Sequence, residues 1–507
     1  MKIIEVEYKD NRKRNFILIS ISIICFCIAI ITSILTFIYF NKDTLVGKKN
    51  IVEATQIPTP TPPVYIDYSY YYAPVTGFKD IRNNISLSDL KANKVFVKTS
   101  ESLKIKQAFP EFNTENIEDT LFNDRIANSN EIGLILWSDL NPRLKLLNIE
   151  NKNILDKTQD LSLYPLKYDE KILESETIPE NYDLKSVNRI LTMGEIIPAR
   201  TVDKVMRTKN DYIWPFKEVK TFMDKYDARV ATFEAALQGV GNGNVCALNC
   251  FTFIANEKFT EGMVYSGINV VSLADNHSMS AGTEGVFNTI KLLNNAGIKT
   301  LGASPTNNED ATRPIIHEVN GVKYGFIAYN DIPSPSDWAT DTAGGTARID
   351  TNEYQIIDGR VRTDVKRAKD MGAQYIIALM HWGSREYTND PMPHQKELAH
   401  NLIDNGVDLI IGDHPHWVMS VEFYTPPGST EPKFIYYGIG NFIFDQSWST
   451  ETSQGSFAEL DFYKDKLLSI HIYPHQIYDM SQPRLLPESS KEYKQIMDRI
   501  WQFTDKI

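Results

Sequence analysis

The sequence predicts an α/β protein in three parts: a single transmembrane helix, a small extracytoplasmic α/β domain over 65–180, and a layered α/β domain over 187–480. Three observations predict it. From Val187 onward, short apolar β-branched runs alternate with segments of helical period, the pattern of strands covered by helices. An uncharged apolar run, Phe16–Phe40, stands near the start of the chain. Between the two lies a stretch rich in Tyr, Asn and Lys with short strand-like pieces.

As a helix, Phe16–Phe40 measures roughly 37 Å at about 1.5 Å per residue, enough to span a bilayer. Arg12, Lys13 and Arg14 precede it, so residues 1–15 are expected to stay cytoplasmic and the chain beyond residue 41 to lie outside. The run is too long for the apolar segment of a cleaved signal peptide, and no small-x-small site follows it. The expectation is a single-pass anchor in the cell membrane. Residues 41–64 include IPTPTPP, which reads as an extended Pro/Thr spacer.

The chain has 507 residues, 42% hydrophobic and 23% charged, with a formal net charge of -12. That is long enough for two or three domains. The acidic balance argues against nucleic acid as a partner. Of the four cysteines, Cys25 and Cys27 fall in the apolar run. Cys246 and Cys250 sit in the loop GVGNGNVCALNCF. In an oxidising compartment they point to a small loop-closing disulfide; the alternative, a thiolate metal site, lacks further Cys or His nearby.

Residues 65–180 contain the strand-like pieces KVFVKT (Lys94–Thr99), EIGLILW (Glu131–Trp137) and LKLLNIE (Leu144–Glu150), but no cluster that reads as a site. In the larger domain, DGRVRTDVKRAKDMG places Val361, Val365, Ala368 and Met371 on one helical face. HQKELAHNLIDNG does the same with Leu398, Leu402 and Ile403. Residues 481–507 read as a C-terminal helix whose stripe of Tyr493, Ile496, Met497, Ile500 and Trp501 is core packing.

Functional signal gathers where strands end. RILTM runs into Gly194-Glu195, RVATF into Glu234, VVSL into Asn276-His277, YIIALM into His381, and VDLII into Asp413-His414-Pro415-His416. In open α/β sheets ligands bind beyond the carboxyl ends of strands, so these groups can converge although far apart in sequence. Carboxylate, amide and imidazole without thiolate form a ligand set suited to Mn, Zn or Fe. In the His-Pro-His run an extended backbone would point both imidazoles the same way, and Pro415 favours that form for His414. The other histidines, His317, His394, His400, His471 and His475, read as packing residues.

The segments GEIIPAR, TFEAAL, SLADNHSMSAGTEGV, HWGSREY, PMPHQKELAHNLIDNGVDLIIGDHPHWV and YYGIGNFIFDQ follow one another in that order. Together they resemble the poly-γ-glutamate capsule synthesis (CapA) family over residues 187–475. The resemblance implies a four-layer αββα sandwich like that of the calcineurin-like metallophosphoesterases, with a two-metal centre. Carried over by position, its metal ligands are Glu195, Glu234, Asn276, His277, His381, His414 and His416. Arg200 matches an arginine that can hold an anionic substrate group, and Asn441 is a further cleft candidate. Two departures stand out: Glu195 replaces the usual aspartate, and Ser280 stands where an aspartate usually follows the Asn-His pair. They leave one metal or two open.

The role the resemblance implies is synthesis or export of an anionic capsule polymer, poly-γ-glutamate or a related one. No Walker-type Gly-rich loop occurs in this chain, so ligation needs other capsule-synthesis proteins as partners. Two alternatives stand beside that role. One is an extracellular metal-dependent hydrolase of phosphoesters or amides, in which His277 or His381, where not a ligand, protonates the leaving group. The other is a surface binding protein with a vestigial metal site.

Overall fold

The computed structural model describes residues 30–32, 35–36, 64–173, 180–238, 250–332, 334–349 and 354–504. Residues Met1–Val64 form one unit and Tyr65–Ile507 another. In the first unit the described positions 30–32 and 35–36 are helical. Among the described residues no helix is long and apolar enough to cross a membrane. The anchor expected at Phe16–Phe40 and the 41–64 spacer lie almost wholly outside the described residues, as does Cys246.

The second unit opens with β1 (Tyr65–Gly77), β2 (Lys94–Lys98), β3 (Asn113–Ile117), β4 (Ile132–Leu136), β5 (Leu144–Leu146) and β6 (Lys167–Leu173). They form a mixed sheet in the order β3-β2-β4-β1-β5, with β6 on the first half of β1. All three strand-like pieces read from the sequence fall in this sheet. Its core runs on into the rest of the unit: Tyr72, Val95 and Leu134 belong to the same apolar cluster as Ile190, Ile377 and Ile410.

From Val187 the strands are β7 (Val187–Ile196), β8 (Ala228–Phe233), β9 (Val270–Ser272), β10 (Lys299–Leu301), β11 (Ile315–Val319), β12 (Val322–Asn330), β13 (Tyr375–His381), β14 (Leu409–Asp413), β15 (Val421–Tyr424), β16 (Lys433–Tyr436), β17 (Asn441–Ile443), β18 (Gln454–Tyr463), β19 (Lys466–Tyr478) and β20 (Gln482–Leu485). One sheet has the order β10-β9-β8-β7-β18-β19-β20, with β17 also on β7; the other is β11-β12-β13-β14-β16-β15. In the first sheet β7 to β10 run parallel, as do β12, β13, β14 and β16 in the second.

Successive strand residues face opposite sides of a sheet, and here both sides are covered. Ile190, Val230 and Val270 enter one core, while their neighbours Leu191, Ala231 and Val271 enter a second. This is why β7 is buried at every position and reads as a continuous apolar run. The two sheets meet across the first core, where Tyr324 of β12 packs edge-on against Phe462 of β18 and its hydroxyl accepts from Asn188 Nδ2 at 3.1 Å.

The helices that matter to the site are α1 (Arg200–Lys209), α2 (Gly282–Asn295), α3 (Tyr354–Asp370), α4 (Pro393–Asp404) and α5 (Lys491–Gln502). Val361, Val365 and Ala368 of α3 are buried as their spacing requires, but Met371 is 45% exposed. The helix ends at Asp370, one residue before Met371, and Gly372 at φ 94° completes the turn away from the stripe. In α5 the Ser490 side chain caps Tyr493 N, and Tyr493, Ile496, Met497 and Ile500 face the core.

Candidate metal centre

The parallel strands of the two sheets deliver their carboxyl ends to one place. Glu195 lies within β7, Glu234 follows β8, Asn276 and His277 follow β9, His381 ends β13, and Asp413 ends β14 just before His414 and His416. In register, Asn441 pairs with Glu195, and Asn330 and Asp413 flank His381. The close approach of β17 to β7 depends on Gly194, whose missing Cβ would lie 1.7 Å from Gly440 O.

Glu195 is fully buried. Its Oε1 accepts from the His414 backbone N–H, and its Oε2 stands 2.6 Å from His416 Nδ1. Burial pushes this carboxyl up, but the His416 and His381 imidazoles and the His414 N–H together hold the group below its ordinary pKa. Asn441 Oδ1 meets the same His416 Nδ1 at 2.9 Å, and Asn441 Nδ2 donates to Thr452 O at 2.8 Å.

A second focus lies around His381. Its Nε2 is 2.7 Å from Asn276 Oδ1 and 3.1 Å from His414 Nδ1, while its Nδ1 is 2.7 Å from Asp413 Oδ1. Burial works against protonation of His381, yet Asp413 raises its pKa above the ordinary value. His414 is pushed well below by burial and by the imidazoles around it.

Glu234 stands between the two foci. Its Oε1 is 4.0 Å from His381 Nε2 and 3.8 Å from His277 Nε2, and both of its oxygens are buried without a hydrogen-bond partner. Burial, and next the Glu195 carboxylate, push its pKa well above the ordinary range. An unpartnered buried carboxylate is costly, and a divalent cation relieves that cost. Glu195, Glu234 and His416 each offer a ligand atom within 4.8 Å of one another, as do Glu195, His381 and Asp413. The residues present therefore fit a metal ion.

His277 is half-buried, with its ring against Phe253 at 4.2 Å between centroids. Burial and the neighbouring His381 and His416 bring its pKa down to about 3. Ser280 accepts from Phe253 N at 3.0 Å and so supports the same wall.

The extended reading of His414-Pro415-His416 is overturned. His414 has φ 88° and His416 φ 59°, both in the region that side chains rarely adopt. The turn directs the His414 N–H onto Glu195 while both imidazoles stay in the cluster, and such strain is held where surrounding contacts over-determine it. Arg200 is buried, and its guanidinium is engaged by Asp445, with Nε 3.1 Å from Oδ1, between the rings of Phe253 and Phe444. Its Nη1 donates to Cys250 O at 3.2 Å. Cys250 is itself disulfide-bonded.

In the sequence Asp413 and Asp275 stand at strand ends beside the candidate ligands without a role of their own, and Asp445 carries no separate signal. Asp413 holds His381. Asp275 accepts from the backbone N–H groups of His277 and Ser278 at 2.7 and 2.6 Å, fixing the turn that carries Asn276 and His277. The available signal was their position, beside recognised site residues at strand ends.

Fold and site together define a mixed α/β protein with buried His, Glu and Asp groups suited to a metal ion. The chain belongs to the family described as bacterial capsule synthesis protein PGA_cap, whose family model matches residues 189–446. It is 28% identical over 303 residues to the capsule biosynthesis protein CapA of Bacillus anthracis, covering 58% of this chain and 69% of that protein. To the PGA biosynthesis protein CapA of Bacillus subtilis (strain 168) it is 24% identical over 303 residues, covering 59% and 74%. Among solved structures it is similar to the calcineurin-like phosphoesterase YfkN from Bacillus subtilis, with TM-score 0.34 and 14% identity, covering 62% of this chain and 96% of that one. It is also similar to the NAD nucleotidase NadN of Haemophilus influenzae, with TM-score 0.36 and 14% identity, covering 63% and 64%.

Proposed function

We propose that this chain is a membrane-anchored, extracytoplasmic component for synthesis or export of an anionic capsule polymer, poly-γ-glutamate or a related one. In this reading Phe16–Phe40 is the anchor, residues 65–180 and 187–480 are successive domains, the larger a four-layer αββα sandwich, and other capsule-synthesis proteins supply the ligation step. The carboxylate–imidazole cluster holds divalent cations, Mn, Zn or Fe. Glu195, Glu234, Asn441 and His416 serve one position; Glu234, Asn276, His381 and His414 serve a second. Bound there, cations supply positive charge for an anionic or carbonyl group of the polymer.

The observation that carries this reading is Glu234, a buried carboxylate with no hydrogen-bond partner between two groups of imidazoles. The test is elemental analysis of the purified chain together with polymer on the cell. Bound divalent metal, and a loss of surface polymer restored by the wild type but not by Glu234→Gln, are expected. A chain without metal and without affinity for added Mn or Zn overturns it.

A second reading, a metal-dependent hydrolase of phosphoesters or amides, draws on His277. Burial and neighbouring imidazoles keep it neutral at ordinary pH, and it lies beside Glu234, where it can orient a water or a leaving group. Metal-dependent turnover of such esters or amides, abolished by His277→Ala, selects this reading over the first.

A further inference from the structure

Apart from the carboxylate–imidazole cluster, the second unit carries a cavity of about 1060 Å³ walled by α5, the loops around Asn389 and Glu451, and Trp417. None of the proposed metal ligands lines it. Its size is at or above the upper end of ordinary small-molecule sites, so it has room for several units of a chain molecule.

The wall chemistry is selective. No aliphatic and no phenylalanine side chain lines the cavity, which excludes lipid and apolar peptide. Lys491 and Arg499 face three carboxylates, Glu451, Glu492 and Asp498, and Arg499 Nη2 already stands 3.8 Å from Glu451. That balance repels a polyanion rather than attracting one. The remaining lining is dominated by amides, among them Gln476 and Gln495, and by two half-buried indoles, Trp417 and Trp501.

Amides offer donors and acceptors in one plane, matching hydroxyl groups that both donate and accept. An indole offers an apolar face with a polar edge.

We infer that this cavity is a binding site for a neutral saccharide chain, seated on Trp417 and held by the amides of α5 and β19. The inference does not rest on the metal reading: a chain without metal would still carry this cavity.

The test is titration of the purified full-length chain with cellohexaose, with chitohexaose and with hexaglutamate, followed by calorimetry and tryptophan fluorescence. At least one neutral hexasaccharide is expected to bind saturably and independently of salt. Trp417→Leu should weaken it about tenfold and reduce the fluorescence change. Because Trp417 adjoins His416, the exposed Gln495→Ala serves as the second variant and should weaken binding without lowering thermal stability. The inference is overturned if neither saccharide binds at millimolar concentration, if hexaglutamate binds instead in a salt-dependent way, or if Gln495→Ala and Gln476→Ala together leave saccharide binding unchanged.

Discussion

Glu195 Oε2 and His416 Nδ1 stand 2.6 Å apart although 221 residues separate them in the chain. The contact joins the carboxyl ends of interior strands of the two sheets, because Glu195 belongs to β7 and His416 follows β14. The same carboxylate takes the His414 N–H with its other oxygen, so its full length is in use. Glu195→Asp keeps the charge but withdraws the carboxylate by about 1.5 Å, one carbon–carbon bond. It is expected to lower Mn or Zn affinity at least about tenfold, read by titration with elemental analysis. Unchanged affinity would show that the longer side chain has no part in the site.

Glu234 yields a prediction with opposite signs for the two states of the protein. Without metal its unpartnered carboxylate destabilises the fold, so Glu234→Gln should melt at or above the temperature of the metal-stripped wild type. With metal the wild type gains about 2.7 kcal/mol at a free concentration near 100 times Kd, and the variant gains far less. Thermal denaturation of both chains, with chelator and with added Mn, checks this. A variant stabilised by metal as much as the wild type would remove Glu234 from the site.

Asp413 touches His381 through Nδ1 and leaves Nε2 to face Asn276 and His414. A carboxylate in that place fixes tautomer and ring orientation of a ligand histidine. Asp413→Asn is expected to cut metal affinity about 10–100-fold while keeping a hydrogen-bonding group of the same size. Retained affinity would make Asp413 a packing residue.

The strands and helices that carry this site were legible because burial on both faces writes itself as continuous apolar runs, as in β7, and burial on one face as helical spacing, as in α3. Convergence of Glu195, Glu234, Asn276, His381 and His414 followed from one rule, that parallel strands end on one side. What escaped was backbone sign and partner identity. Nothing in the spacing of His414 and His416 announces positive φ at both, and the carboxylate that meets them, Glu195, comes from another sheet. Asp445 was equally hidden: its partner, Arg200, lies 245 residues away.

A pH effect independent of the site is expected at His471. Its Nε2 is buried without a partner, and burial, with the charge of Lys145 next, brings its pKa down to about 3. The unfolded chain titrates this group near the ordinary histidine value of about 6.5. The native state thus binds fewer protons, and stability falls as pH drops from 6.5 toward 3, by up to about 1.4 kcal/mol per pH unit from this group. Denaturant unfolding across that window should be less steeply pH-dependent in His471→Gln than in the wild type. Parallel profiles would mean His471 does not titrate on unfolding.

Arg200 separates two roles by experiment. If it grips an anionic group of the substrate, Arg200→Met lowers anion affinity and leaves stability alone. Its burial and its pairing with Asp445 between Phe253 and Phe444 favour a different outcome. Removing the guanidinium strands a buried carboxylate, which costs about 3–5 kcal/mol. Adding Asp445→Asn removes the stranded charge, so the double variant should recover much of that loss, as a pair of partners must. Lysine cannot substitute, because a single ammonium does not reproduce the planar fork that meets Asp445 and Cys250 O together. Unfolding free energies of the two single variants and the double variant decide the matter. Additive losses would break the pairing and return Arg200 to the surface chemistry of the cleft.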